Sequence, residues 1–215
     1  MPRYVYLHGF ASSPASSKAR AFRERIAAAG AEISVPALDE GDFTGLTISR
    51  QLAVIRGEVD LAPGPVRLIG SSMGGYLAAL FASGDARVET LVLMAPAFDM
   101  QAGWRARYGD AKLADWCRRG ALPTFHYAYG EERPIGYGLY EDLGRHDPRP
   151  RVRVPALVFM GRRDDVVEPA SVEGWARANP TARLVWLDSG HELTDQIETI
   201  WAVSAEFLGI TRHHP

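Results

Sequence analysis

Val66-Arg67-Leu68-Ile69-Gly70-Ser71-Ser72-Met73-Gly74-Gly75 is the stretch that decides how this chain is read. Val66 to Ile69 has the short apolar character of a buried strand, and Met73 to Ser83 reads as a helix. Between them stands G-x-S-x-G, the pattern of a sharp strand-to-helix turn that lifts one hydroxyl clear of the backbone. Glycines flank such a turn because side chains there would collide with neighbouring strands and helices. Ser72, at the centre, is therefore the candidate nucleophile, and Ser71 is not. The competing reading is a glycine-rich turn with structural serines.

Outward from this turn, strand and helix alternate. Val5 to Leu7, Ile33 to Val35, Leu91 to Met94, Ala156 to Met160 and Leu184 to Leu187 read as strands. Helices are expected over Ala15–Ala29, Leu46–Leu61, around Ser171–Ala178 and over Thr194–Leu208. Such alternation predicts an α/β fold, a mostly parallel doubly wound sheet with right-handed crossovers. Ligands of these sheets bind beyond the carboxyl ends of the strands. That directs attention to His8-Gly9-Phe10, Gly161 to Asp165, and Ser189 to His191, besides the turn itself. Residues 98–150 break the pattern: no strand is clear, yet nine of the 21 aromatics lie between Phe98 and Tyr140. The expected organisation is a core of 1–97 and 151–215 with 98–150 inserted as a cap. Trp104 and Trp116 are expected to line the substrate-facing side of that cap. A peripheral subdomain with its own aromatic core is the alternative.

Composition removes several classes. The chain has 215 residues with 24 Lys+Arg against 26 Asp+Glu, a net charge of −2, and so no basic footprint for nucleic acid. The longest wholly apolar run, Leu91 to Phe98, falls far short of the roughly 20 residues a membrane-spanning helix needs. One cysteine, Cys117, supports neither an internal disulfide nor a structural zinc. The amino-terminal residues lack a signal-peptide pattern, so a cytoplasmic protein is expected. No cofactor or metal is implied. The glycines of the turn also lack the G-x-G-x-x-G spacing of a dinucleotide site.

A serine hydroxyl needs an adjacent base. His191 follows the last strand and precedes the last helix, which makes it the expected general base and acid. His8 is read as structural, shaping the loop after the first strand. His126 and His146 fall in the insertion, and His213 and His214 in a terminal tail. The base needs a carboxylate, expected between serine and histidine in the chain. Asp164 is preferred, with Asp165 the alternative, expected to face solvent beside Arg162 or Arg163; Asp188 is a weaker third. An oxyanion hole would use the backbone N–H of Met73, at the helix start, and that of Phe10. The Phe10 side chain is also a candidate for the acyl pocket.

Leu7-His8-Gly9-Phe10, Gly70 to Gly75, Gly161-x-x-Asp164 and Gly190-His191 together resemble the α/β-hydrolase superfamily. The run from Leu7 to Lys18 (Leu-His-Gly-Phe-x-Ser-Ser-Pro-x-Ser-x-Lys) is similar to that of small bacterial serine esterases. The resemblance implies hydrolysis of a small-molecule carboxylic ester or thioester through an acyl-enzyme on Ser72. The chain departs from larger members by starting at the strand that carries the oxyanion loop, so the antiparallel hairpin with which they begin is expected to be absent. Acyl transfer or perhydrolysis on the same triad is an alternative, as is a non-catalytic binding module on the same fold. Insertion charges, ten basic against eight acidic between Phe98 and Arg153, give no sign for the substrate.

Overall fold

Apolar runs buried on both faces force strands into the middle of a sheet. In the computed structural model, which describes residues 3–210, that is where they lie. His213 and His214 are outside the described residues. Strands β1 (Arg3–Leu7), β2 (Ile33–Ser34), β3 (Val66–Ser71) and β4 (Val88–Met94) belong to one six-stranded sheet. An antiparallel pair, β5 (Ala121–His126) and β6 (Glu131–Gly136), stands apart, and β7 (Ala156–Gly161) and β8 (Ala182–Leu187) complete the main sheet. Its order is β2-β1-β3-β4-β7-β8, and every pairing is parallel. The doubly wound architecture expected from the alternation is the one present.

Helices α1 (Ser17–Ala28) and α2 (Ile48–Asp60) carry the chain out to the edge at β2 and back. Crossovers between parallel strands are right-handed as a rule, and two that run in opposite directions then cover opposite faces. Helix α3 (Met73–Gly84) packs beside α2. The two further sheet helices, α6 (Pro169–Ala178) and α7 (Ile197–Phe207), pack on β8 and α1 respectively. The strand order reverses between β1 and β3, so the loops leaving these two strands diverge and open a crevice.

Residues 98–150 hold α4 (Met100–Arg119), the β5–β6 hairpin and α5 (Gly138–Leu143). The hairpin corrects the expectation of no strand there. Its signal is masked because Pro123 pairs with Pro134 across the hairpin, and proline reads as a strand breaker. In a two-stranded ribbon each strand keeps a free edge, so the missing N–H groups cost no ladder bond. Gly109 kinks α4 at a positive φ of 71°. Buried Asp142 ties the segment down, accepting bonds from Ser49 N–H at 2.7 Å and Ser49 Oγ at 2.9 Å.

The tightest contact in the core is glycine on backbone. A methyl group on Gly74 would stand 2.1 Å from the Leu7 carbonyl oxygen and 2.6 Å from that of His8. Overpacking of this kind costs about 3 kcal/mol. The Gly74→Ala variant should therefore melt roughly 6–12 °C lower than wild type, at about 2–4 °C per kcal/mol for a chain of this size. Thermal denaturation followed by circular dichroism checks this.

Candidate active site

At the end of β3 the chain turns so sharply that Ser72 takes φ 54° and ψ −120°, a region unfavourable for a residue with a side chain. Four backbone bonds hold it there. Ser72 N–H donates to Met94 O at 2.8 Å, and Ser72 O accepts from Gly75 at 2.9 Å, Ala97 at 3.0 Å and Tyr76 at 3.1 Å. Glycine is required beside it: a Cβ on Gly70 would lie 2.3 Å from Gly74 O. Met73 begins α3, where the first N–H groups have no intrahelical acceptor.

Asp164 and His191 leave the ends of β7 and β8, whose loops are stitched together by the backbone. Arg162 N–H donates to Leu187 O at 2.8 Å and Arg163 N–H to Ser189 O at 3.0 Å. His191 Nδ1 lies 2.8 Å from Asp164 Oδ2, and Nε2 lies 3.0 Å from Ser72 Oγ. The other carboxylate oxygen of Asp164 accepts from Val166 and Val167 N–H, each at 2.9 Å. Burial pushes the Asp164 pKa up, but the bonds from His191, Val167 and Val166 outweigh it and hold the group below its ordinary value. An ionised Asp164 accepts only, so Nδ1 carries the ring proton and Nε2 accepts from the Ser72 hydroxyl. Asp165 is exposed, as expected, but among the described residues no arginine pairs with its carboxylate: Arg163 pairs with Asp188, while Arg107 donates to the Asp165 carbonyl at 3.1 Å. Asp188 is thus occupied away from His191.

The loop after β1 approaches the turn from the other side. A Cβ on Gly9 would stand 3.3 Å from Ser72 Cβ. His8 is 5% exposed; its Nδ1 lies 3.0 Å from Gly9 O, and its Nε2 accepts from Leu38 N–H at 3.3 Å. It braces this loop in the neutral form. Burial drives its pKa below the ordinary value, the Gly9 bond and Asp39 opposing and His126 assisting.

Two clefts meet at Ser72. The larger, about 940 Å³, is walled by Ala97, Phe98, Met100, Ala106, Val167 and their neighbours. The smaller, about 460 Å³, contains His191, Lys18 and several hydroxyls. Phe10, Trp104, Arg107 and Val166 line both. Trp116 is a correction: the structure does not bring it to either cleft. Its indole is 2% exposed, donates to Ile135 O at 2.9 Å, and backs Trp104 at 5.9 Å between ring centres. An indole needs a partner for its N–H, and an internal carbonyl supplies one here.

Lys18, which closes the run from Leu7, lines the smaller cleft, a position for which sequence reasoning assigned no role. It is 8% exposed, and its ammonium donates to the Glu192 carbonyl, next to His191. Burial pushes the ammonium pKa down, against the upward pull of Glu192 and Asp164. Its signal lay in that run, whose last residue is this lysine, one of only two among 24 basic residues.

The chain belongs to an uncharacterised protein family, UPF0227, whose model matches residues 3–208. No curated protein matches the sequence. Among solved structures it is similar to mouse alpha/beta hydrolase domain-containing protein 10, at TM-score 0.81 and 20% identity over 98% of this chain and 91% of that one. It is also similar to Est1E from Butyrivibrio proteoclasticus, at TM-score 0.77 and 17% identity over 96% and 86%. The esterase Pf2001 from Pyrococcus furiosus matches at TM-score 0.69 and 20% identity over 97% and 82%. The fold is that of the α/β hydrolases. Among the described residues no helix is long and apolar enough to cross a membrane.

A buried neutral histidine makes stability depend on pH. Because the folded pKa of His8 lies below its unfolded value, its contribution is complete above about pH 6.5 and is lost as pH falls from there through the folded value. The urea midpoint of wild type should drop between pH 7 and pH 5, and that of His8→Asn should drop less. Parallel slopes would clear His8 of the role.

Proposed function

We propose that this protein is a serine hydrolase that cleaves a carboxylic ester or thioester through an acyl-enzyme on Ser72. The observation that carries the reading is the unbroken hydrogen-bonded series from Asp164 through His191 to Ser72. In this mechanism His191 Nε2 takes the Ser72 proton as Oγ attacks the acyl carbonyl. Asp164 stabilises the imidazolium and keeps the ring oriented. The Met73 and Phe10 N–H groups stabilise the oxyanion. The imidazolium then gives its proton to the leaving oxygen or sulfur. Water, deprotonated by the same nitrogen, releases the acid and restores the Ser72 hydroxyl. The reaction needs neither cofactor nor metal.

Residues 98–150 act as a cap in this reading, with Phe10 and Trp104 as the substrate-binding aromatics. Its support is that α4 supplies Met100, Trp104 and Ala106 to the larger cleft. A small-molecule substrate with a medium apolar acyl group suits such walls. A single thiol, Cys117, exposed and free, suits the reducing cytoplasm.

Ser72→Ala should abolish covalent labelling by a fluorophosphonate and lower kcat by about 10⁶. Asp164→Asn should lower kcat by about 10⁴ through the wrong imidazole tautomer, whereas Asp165→Asn should stay within about tenfold, the scale of 1.4 kcal/mol. The reverse ranking of the two aspartates would transfer the role to Asp165. Steady-state kinetics on p-nitrophenyl esters, with the labelling assay beside them, decide between these outcomes.

Across a series of acyl lengths, kcat/KM should rise by about 0.8 kcal/mol per buried methylene and then level off. Trp104→Ala should flatten that rise. Trp116→Ala should chiefly cost stability, about 3–5 kcal/mol for an emptied buried aromatic site. A profile highest for acetyl and indifferent to Trp104 would remove the cap from the reaction.

A further inference from the structure

The two clefts at Ser72 differ in kind, and His191 distinguishes their roles. As general acid it must hand its proton to the departing atom, so the leaving group has to lie on the His191 side of the serine. His191 lines the smaller cleft and is absent from the walls of the larger one. The larger cleft, whose walls are chiefly aliphatic and aromatic although Asp99, Arg149, Asp165 and Glu168 also border it, is then left for the acyl chain. The smaller one is a different environment: Ser12, Ser16, Ser17, Thr124, Tyr108 and Tyr127 bring hydroxyls to it. Three charged side chains face it, Lys18 and Arg107 positive and Glu192 negative.

We propose that the smaller cleft takes a leaving alcohol or thiol that carries an anionic group, a carboxylate or phosphate, bound by the Lys18 ammonium. The inference rests on the reading of Ser72 as the acylated nucleophile and extends it to the other half of the substrate. Lys18 is more than nine-tenths buried, so its charge is shielded from bulk water. Of its three N–H donors, one is used on the Glu192 carbonyl. The Glu192 carboxylate stands 3.9 Å away, at the limit of an ion pair, on a side chain that is 74% exposed. Asp164 also pulls on the charge but makes no direct bond to it, so the ammonium is anchored but only partly neutralised, and an incoming anion can take the donors that Glu192 leaves free. Its position is set before binding, so little side-chain freedom is lost. The same cleft is flanked by the start of α1, where Ser16 caps without a side-chain bond and the first N–H groups point outward with a partial positive charge. Burial, which weakens the charged form of Lys18, is relieved when an anion arrives.

The test holds the acyl group constant and changes only the leaving group. Hexanoate esters of 4-hydroxybenzoic acid and of 4-hydroxyphenylphosphonic acid are compared with that of the neutral 4-hydroxybenzamide. Wild type should favour at least one anionic ester in kcat/KM by about tenfold, the worth of one charge-assisted hydrogen bond. Lys18→Met should bring that ratio to about one, and Lys18→Arg should keep part of it. A wild-type ratio at or below one, or a ratio unmoved in Lys18→Met, overturns the proposal. Should Lys18→Met give no melting transition, Glu192→Gln decides in its place. Freeing the ammonium of that exposed competitor should raise the ratio by up to about threefold, and an unchanged or lower ratio overturns the proposal. Fluorophosphonate labelling separates the two levels of the reading. Labelling of Ser72 without anion preference sinks only the leaving-group assignment; no labelling and no turnover of any ester sinks the hydrolase reading and this proposal with it.

Discussion

Much of this structure depends on one contact, the pressing of the first turn of α3 against the end of β1. It leaves no room for a side chain on Gly74, whose added Cβ would meet the Leu7 carbonyl oxygen at 2.1 Å, while within the turn itself a Cβ on Gly70 would meet Gly74 O at 2.3 Å. That closeness brings the helix start and the β1 loop together at one edge of the sheet. It also forces the intervening residue, Ser72, through a positive φ. Strain of this sort costs about 1–3 kcal/mol and persists only where surroundings fix every alternative. Here the Met94 carbonyl and the N–H groups of Gly75, Tyr76 and Ala97 do so.

Electrostatics complete what the backbone begins. The Asp164 side chain is wholly buried, yet it accepts three hydrogen bonds, two from the backbone of its own loop and one from His191. Those bonds outweigh the desolvation of the carboxylate and keep it charged. A charged acceptor on one side of the imidazole leaves a lone pair on the other, facing Ser72. His8 serves the opposite loop in a different way. Neutral and buried, it links Gly9 to Leu38 and so joins the β1 loop to the chain beyond β2.

Residues 98–150 use their aromatics for two purposes. Trp116 stands at the centre of a cluster with Trp104, Tyr108, Tyr137 and Tyr140, and so gives the segment a core of its own. Trp104, Tyr108, Phe125 and Tyr127 reach the clefts. The hairpin is also joined to the β1 loop by Tyr127 N–H donating to Ala11 O at 2.9 Å. One segment therefore both lines the clefts and packs an aromatic core behind them. Aromatic composition alone does not separate the two roles, because a tryptophan in a wall and a tryptophan behind it obey the same preference for burial.

The sequence by itself determined the sheet and the turn. Apolar strands alternating with helices admit a doubly wound parallel sheet, and glycines at 70 and 74 around Ser72 require a backbone contact that only such a turn makes. These are local constraints, written in residues close together in the chain. His191 and Asp164 were legible as well, because each follows a strand whose carboxyl end must lie at the crevice. Tertiary structure alone decided the rest. Pro123 and Pro134 hid a hairpin, since each is a strand breaker until the other stands opposite it. Trp116 went inward because the Ile135 carbonyl, 19 residues away, receives its N–H. Lys18 became part of the site through the carbonyl of Glu192, 174 residues distant. Which polar group a buried donor finds depends on segments brought together by packing, and no periodicity in the chain records that meeting.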